Sequence, residues 1–273
     1  ILLIRDFCRG IADYHDFINV RQQMYYYSLF NFTAQGEQGG RIWRDSELEN
    51  QFQFHFHDWD QVFIFDPTSF SNNNLAFIPT AIFNDDEKKE MLQFYAAQID
   101  LLYDSTRTLP IFEDLVTLLR PEMQNHIDFT NSLTWSSVTT FTTLSEWDDN
   151  VDFMRTFLKQ RPQVMIDAIA TQYPAETLID LTHEVNDTDY GFVRIHGIKT
   201  TMHSETGKYF ANMPLHLEAK ALPGYTFSHW EGASTSTESS IVLDLNSAST
   251  IRAVFVSAGL VDMSINEVQA IND

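Results

Sequence analysis

The chain has 273 residues, with 17 basic against 38 acidic side chains and a formal charge of −21 at pH 7. A surface this acidic repels phosphate backbones and anionic lipid, which argues against nucleic acid and membrane surfaces as partners. The length allows two domains, and a 44% hydrophobic content can fill their cores. No run approaches the ~20 apolar residues that a transmembrane helix needs.

Cys8 is the only cysteine, so no disulfide can form within the chain. Two settings fit: the cytoplasm, or a secreted bacterial protein that does without disulfides. Ile1 to Ile4 is too short an apolar run for a signal peptide and is followed by Arg5-Asp6. A chain that opens mid-pattern at Ile1 reads as a piece of a longer protein.

In chain order, residues 12–30 read as a helix, with Phe17, Val20, Met24 and Tyr27 at helical spacing. A Gly/Gln-rich turn over 35–40 follows. Residues 51–65 alternate, with Phe52, Phe54 and Phe56 on one face and Gln53, His55 and His57 on the other, the period of a strand. A second helix opens at Asp85-Asp86-Glu87, where acids suit the helix dipole, and continues through Met91, Phe94, Tyr95, Gln98, Leu101 and Leu102. A third runs over 110–127, with Pro110 placed as an N1 proline and Pro121 kinking or dividing it. Ser145-Glu146-Trp147-Asp148 has the form of a capping box. It opens a helix through Val151, Met154, Phe157 and Leu158, and past Arg161-Pro162 a last helix covers 164–170. Residues 174–189 read as linker.

From residue 190 the period changes to two. Short antiparallel strands are expected around 192–197, 209–217, 223–232, 240–245 and 250–256, bounded by Pro-Gly and Ser/Thr clusters. Charges balance here: Arg194, Lys199, Lys208, Lys220 and Arg252 against Glu205, Glu218, Glu231, Glu238 and Asp244. The acidic excess therefore lies before residue 190 and reads as a solvated surface. The predicted class is α+β: a mainly helical domain with a short strand region over 1–173, a linker over 174–189, a small antiparallel β module over 190–257, and the start of something further over 258–273.

Gly224-Tyr225-Thr226-Phe227-Ser228-His229-Trp230-Glu231-Gly232, with its Ile251-Arg252-Ala253-Val254-Phe255 ending, resembles the divergent internalin-type B-repeat. Such repeats are appended to secreted bacterial proteins, so the resemblance implies an extracellular or cell-surface location. Ile265-Asn266-Glu267 resembles the opening strand of a lamin-tail-like domain. Trp230 reads as core, or alternatively as a stacking surface for a sugar.

Three further stretches resemble the C-terminal part of the CotH-type spore-coat kinase family, over about residues 12–173. They are Leu118-Leu119-Arg120-Pro121-Glu122-Met123-Gln124-Asn125-His126-Ile127; Trp147-Asp148-Asp149-Asn150-Val151 with Phe157 to Pro162; and Arg41-Ile42-Trp43-Arg44 with Phe54 to Asp60. The resemblance implies a partial kinase-like C-lobe, whose nucleotide-binding lysine would come from an N-terminal lobe ahead of Ile1. It also implies an aspartate base eight residues before Trp43, followed by asparagines. Gln35 stands at that base position, and Gly39 and Gly40 stand where the asparagines are expected. A neutral amide cannot accept the proton, and glycine has no side-chain ligand. Asp58 and Asp60 match the family's metal-holding Asp-x-Asp, so Mg²⁺ or Ca²⁺, weakly held, is the one cofactor implied. On the residues alone the pair also reads as two surface acids closing a strand. His55 and His57 with these aspartates give another metal-ligand set, although their order does not match a His-x-His-x-Asp-His hydrolase.

The expected function is thus a secreted or surface-attached CotH-like protein without phosphoryl transfer in this fragment, a pseudokinase-like scaffold with a protein or cell-envelope partner. Two alternatives remain. One is an active ATP-dependent kinase, completed by a missing N-lobe and a shifted base such as Glu37. The other is an adhesion or glycan-binding surface protein.

Overall fold

The computed structural model describes residues 24, 28, 29, 32, 33, 40–44, 52–56, 84–133 and 141–259. Asp58, Asp60, Gln35, Glu37, Cys8 and the lamin-tail-like stretch lie outside them. Strand β1 (Gly40–Arg44) pairs antiparallel with β2 (Phe52–Phe56), in a register that sets Ile42 opposite Phe54. Gly40, read as the end of a turn, thus opens a strand.

Helix α1 (Asp85–Gln98) begins with a complete capping box. The Asn84 side chain accepts from the Glu87 N–H at 3.0 Å, and the Glu87 carboxylate accepts from the Asn84 N–H at 2.8 Å. Residues Met91 to Gln98 are all buried, so the second half of this helix is enclosed on every side rather than amphipathic, while Asp85 and Asp86 in its first turn are exposed. It runs into a π-helical turn (Ile99–Tyr103), where Asp104 caps the next helix by accepting from the Thr106 N–H at 2.8 Å. That cap starts α2 (Ser105–Leu119) earlier than Pro110, which lies inside the helix and not at N1. Short-range capping by Asp104 outweighs the proline signal. Pro121 does divide the segment: a 3₁₀ turn (Arg120–Glu122) separates α2 from α3 (Met123–Asn131).

Helix α4 (Leu144–Gln172) is a single helix of 29 residues passing through Pro162, where the sequence pattern suggests two. Its cap is Thr143, whose hydroxyl accepts from the Glu146 N–H at 3.2 Å, rather than Ser145. Glu146 also accepts from the Thr142 N–H at 2.7 Å; this and the Thr142 hydroxyl hold its carboxyl below the usual carboxylate range. Ile127, Trp147 and Val151 form one buried cluster, against which Phe112, Val116 and Met123 pack. A second buried row on α4, with Phe157, Arg161, Met165 and Ile169 at four-residue spacing, follows the helical period.

The β region holds two four-stranded sheets, ordered β6-β3-β10-β8 and β5-β4-β7-β9. Their strands are β3 (Leu178–Val185), β4 (Gly191–Ile195), β5 (Ile198–Lys199), β6 (Ser204–Phe210), β7 (Pro214–Ala221), β8 (Tyr225–Gly232), β9 (Ser240–Asp244) and β10 (Ser249–Ser257). The sheets face each other: a Cβ on Gly191 of β4 would fall 2.6 Å from the ring of Phe255 in β10. Two expectations are corrected. Residues 178–185, read as linker, form β3, with Ile179, Leu181, His183 and Val185 buried and Asp180 exposed between them. The short, charge-rich alternation conceals the strand. The module is also not wholly antiparallel, because β3 and β10 run parallel, with Leu181 opposite Ser249.

The chain forms two compact units: Ile1–Ile179 with Lys208–Met213, and Asp180–Gly207 with Pro214–Asp273. Lys208–Met213, expected in the β module, therefore counts with the helices. The reason is Gln93, buried on α1, whose amide donates to Phe210 O at 3.0 Å and Met213 O at 3.1 Å and accepts from Phe210 N at 2.9 Å.

Candidate functional site

The motif residues of the helical unit are tied together. Arg120 Nη2 lies 3.0 Å from Asp148 Oδ2 and its guanidinium sits 5.4 Å from the centre of the Trp147 ring. The Leu118–Ile127 stretch and the Trp147-Asp148 stretch, distant in sequence, thus meet. Arg155 clasps Glu113 at 2.6 and 2.8 Å and Asp152 at 2.6 Å. The Arg155 hydrogen bond, more than any other effect, holds the Glu113 carboxyl below its ordinary range.

Arg161, from the Arg-Pro pair, is buried. Its Nε donates to Phe32 O at 3.1 Å, and its guanidinium lies over the Phe157 ring. Burial lowers its pKa to about 10, so it stays charged at neutral pH. Tyr103 completes this interior: its ring stacks on Phe32 at 4.2 Å, its hydroxyl accepts from Ser28, and it donates to Gln98. These polar residues bind one another and the backbone, which is structural work. Arg161-Pro162 is therefore an internal anchor of α4.

Trp230 is fully buried in the second unit. Its indole N–H donates to Glu238 O at 2.9 Å, and Phe227 packs 5.4 Å away. It is core and offers no face to a sugar. Gly224 and Gly232, at either end of the Gly-Tyr-Thr-Phe-Ser-His-Trp-Glu-Gly run, have φ of +90° and +88°. At Gly232 a Cβ would also fall 2.2 Å from Thr250 O, so glycine is required there on both counts. A shallow depression in this unit is lined by Thr188, Phe192, Lys199, Thr201 and Met202, with the Lys199 ammonium 4.4 Å from the Phe192 ring centre.

The feature that sequence reading passed over is on α2. No residue of that helix is fully buried, and its outward face carries Ile111, Leu115, Leu118 and Leu119 with exposures of 65, 50, 72 and 52%. Three- and four-residue spacing puts them on one stripe. Phe129 on α3 is exposed as well. The spacing was visible in the sequence, but so was the inner row of Phe112 and Val116, and periodicity alone does not say which row faces the core.

Among the described residues, no three His, Cys, Asp or Glu side chains converge where a metal could sit, and no helix is long and apolar enough to cross a membrane. The helices followed by two sheets make this an α+β protein. No family model, curated protein or solved structure matches the chain.

Proposed function

We propose that the chain is a non-catalytic scaffold or interaction protein, part of a secreted or surface-attached bacterial protein of CotH-like descent. The observation that carries this reading is the apolar stripe of Ile111, Leu115, Leu118 and Leu119, held in solvent on a helix whose other face is packed. Folded monomers seldom expose a contiguous apolar patch of this kind unless it is used. The motif departures support the non-catalytic half: Gln35 cannot serve as a base, and Gly39 and Gly40 bring no ligands. The glycan-binding alternative loses its best residue, since Trp230 is enclosed.

In the same reading Asp58 and Asp60 are the residues that would hold Mg²⁺ or Ca²⁺, and hold it weakly. Two carboxylates supply fewer than the six or more oxygens that calcium takes, and water must fill the rest. Such an ion would supply charge neutralisation and no base. Calorimetric titration with each ion, on wild type and Asp58→Asn, tests this. The expected result is a small heat in the millimolar range that the substitution removes; identical traces would make the pair plain surface acids.

A further inference from the structure

The geometry points to the α2 stripe as the docking face for a basic amphipathic helix of a partner protein. This deepens the scaffold reading and rests on it. The stripe has the i, i+4, i+7, i+8 spacing that a groove-binding or paired helix reads, in Ile111, Leu115, Leu118 and Leu119. Two exposed acids flank it: Asp114 sits between Ile111 and Leu118 at helical spacing, and Glu122, in the 3₁₀ turn after α2, follows Leu118 and Leu119 by four and three residues. Of the cations nearby, Arg107, one turn before Ile111, is half-buried, Arg120 is engaged by Asp148, and Arg155 by Glu113 and Asp152.

Charge selects among occupants. A second copy would bring two chains of −21 together, against strong mutual repulsion. A membrane-surface helix carries Lys and Arg on its polar face, the opposite of what is found here. A helix with leucine-like residues on one side and lysine or arginine along the flanks satisfies both the apolar stripe and Asp114 with Glu122.

The probe is a fluorescent synthetic amphipathic peptide of leucine and lysine, with leucine at i, i+3, i+4 and i+7, and a companion with glutamate for every lysine. Anisotropy titrations at physiological and high salt compare wild type, Leu118→Asp and Val242→Asp. Val242 is exposed on β9 in the other unit, so its variant matches the charge change away from the stripe. The proposal expects the lysine peptide to bind wild type and Val242→Asp alike at high salt, and Leu118→Asp at least about tenfold more weakly. It expects no binding of the glutamate peptide.

Equal affinity of the two variants would overturn it, leaving only general attraction to an acidic chain. Binding of the glutamate peptide would overturn the choice of charge. A dimer in sedimentation that Leu118→Asp dissolves, or uptake by phosphatidylcholine vesicles that the same change abolishes, would assign the stripe to a second copy or a lipid surface. Circular dichroism of both variants checks that the fold is kept. Phosphoryl transfer is read in a separate assay, so failure here and failure of the non-catalytic reading are distinguishable.

Discussion

Replacing Trp230 by alanine should destabilise the β unit by about 3–5 kcal/mol, the range for truncating a large buried aromatic. The indole is fully enclosed, and its N–H holds Glu238 O of the loop leading to β9. The Trp230 backbone N–H also donates to Ser236 O at 2.8 Å, so that loop is anchored twice on one residue. Truncation leaves a cavity beside Phe227, whose ring also packs against Phe255, and orphans the Glu238 carbonyl. Trp230→Phe restores most of the volume but not the donor, and falls between the two. Equilibrium urea denaturation followed by circular dichroism measures the series. A loss below about 1 kcal/mol in Trp230→Ala would mean that the ring is not enclosed as described, and would reopen the sugar-stacking alternative.

Gln93→Ala should cost on the order of 3 kcal/mol or more in the helical unit. Three backbone groups lose their partner at once, Phe210 N, Phe210 O and Met213 O, and each buried orphan costs about 1–3 kcal/mol when water does not replace the bond. Gln93→Glu is the sharper change. An ionised carboxylate still accepts from Phe210 N but has nothing to donate, and it faces two carbonyl oxygens. Burial and those oxygens favour its protonated form, so its folded pKa lies above the unfolded one. The carboxylate variant should therefore regain stability as pH falls through that folded value and lose it as pH rises, by the linkage of protonation to folding. Thermal melts across acidic to neutral pH test the sign. A Gln93→Glu variant whose stability relative to wild type is independent of pH would show that the amide is not what holds Lys208–Met213.

Gln93 marks a limit of sequence reading. A glutamine among Met91, Leu92 and Phe94 carries no sign of which backbone it will satisfy, because its partners are 117 and 120 residues away. The same limit hid β3, whose parallel pairing to β10 joins the two ends of the β region. What was legible was local. The acids at 85–87, the division at Pro121 and the strands over 240–245 and 250–256 each follow from signals a few residues long, and each lies where expected within a residue or two. Where two local signals competed, the nearer cap prevailed: Asp104 over Pro110 and Thr143 over Ser145. The α2 stripe was legible as a helix and illegible as a surface, since only the packing of Phe112 and Val116 against Trp147 and Val151 decides which row is left outside.

The central claim, that this chain is an interaction protein without phosphoryl transfer, meets its most direct test in one assay. Purified chain is incubated with radiolabelled ATP and Mg²⁺, alone and with a generic acceptor protein, beside Asp58→Ala. The account predicts label at background in every lane, because a missing base costs roughly 10²–10⁴ in rate even where a site is otherwise complete. Incorporation by wild type that disappears in Asp58→Ala would contradict it.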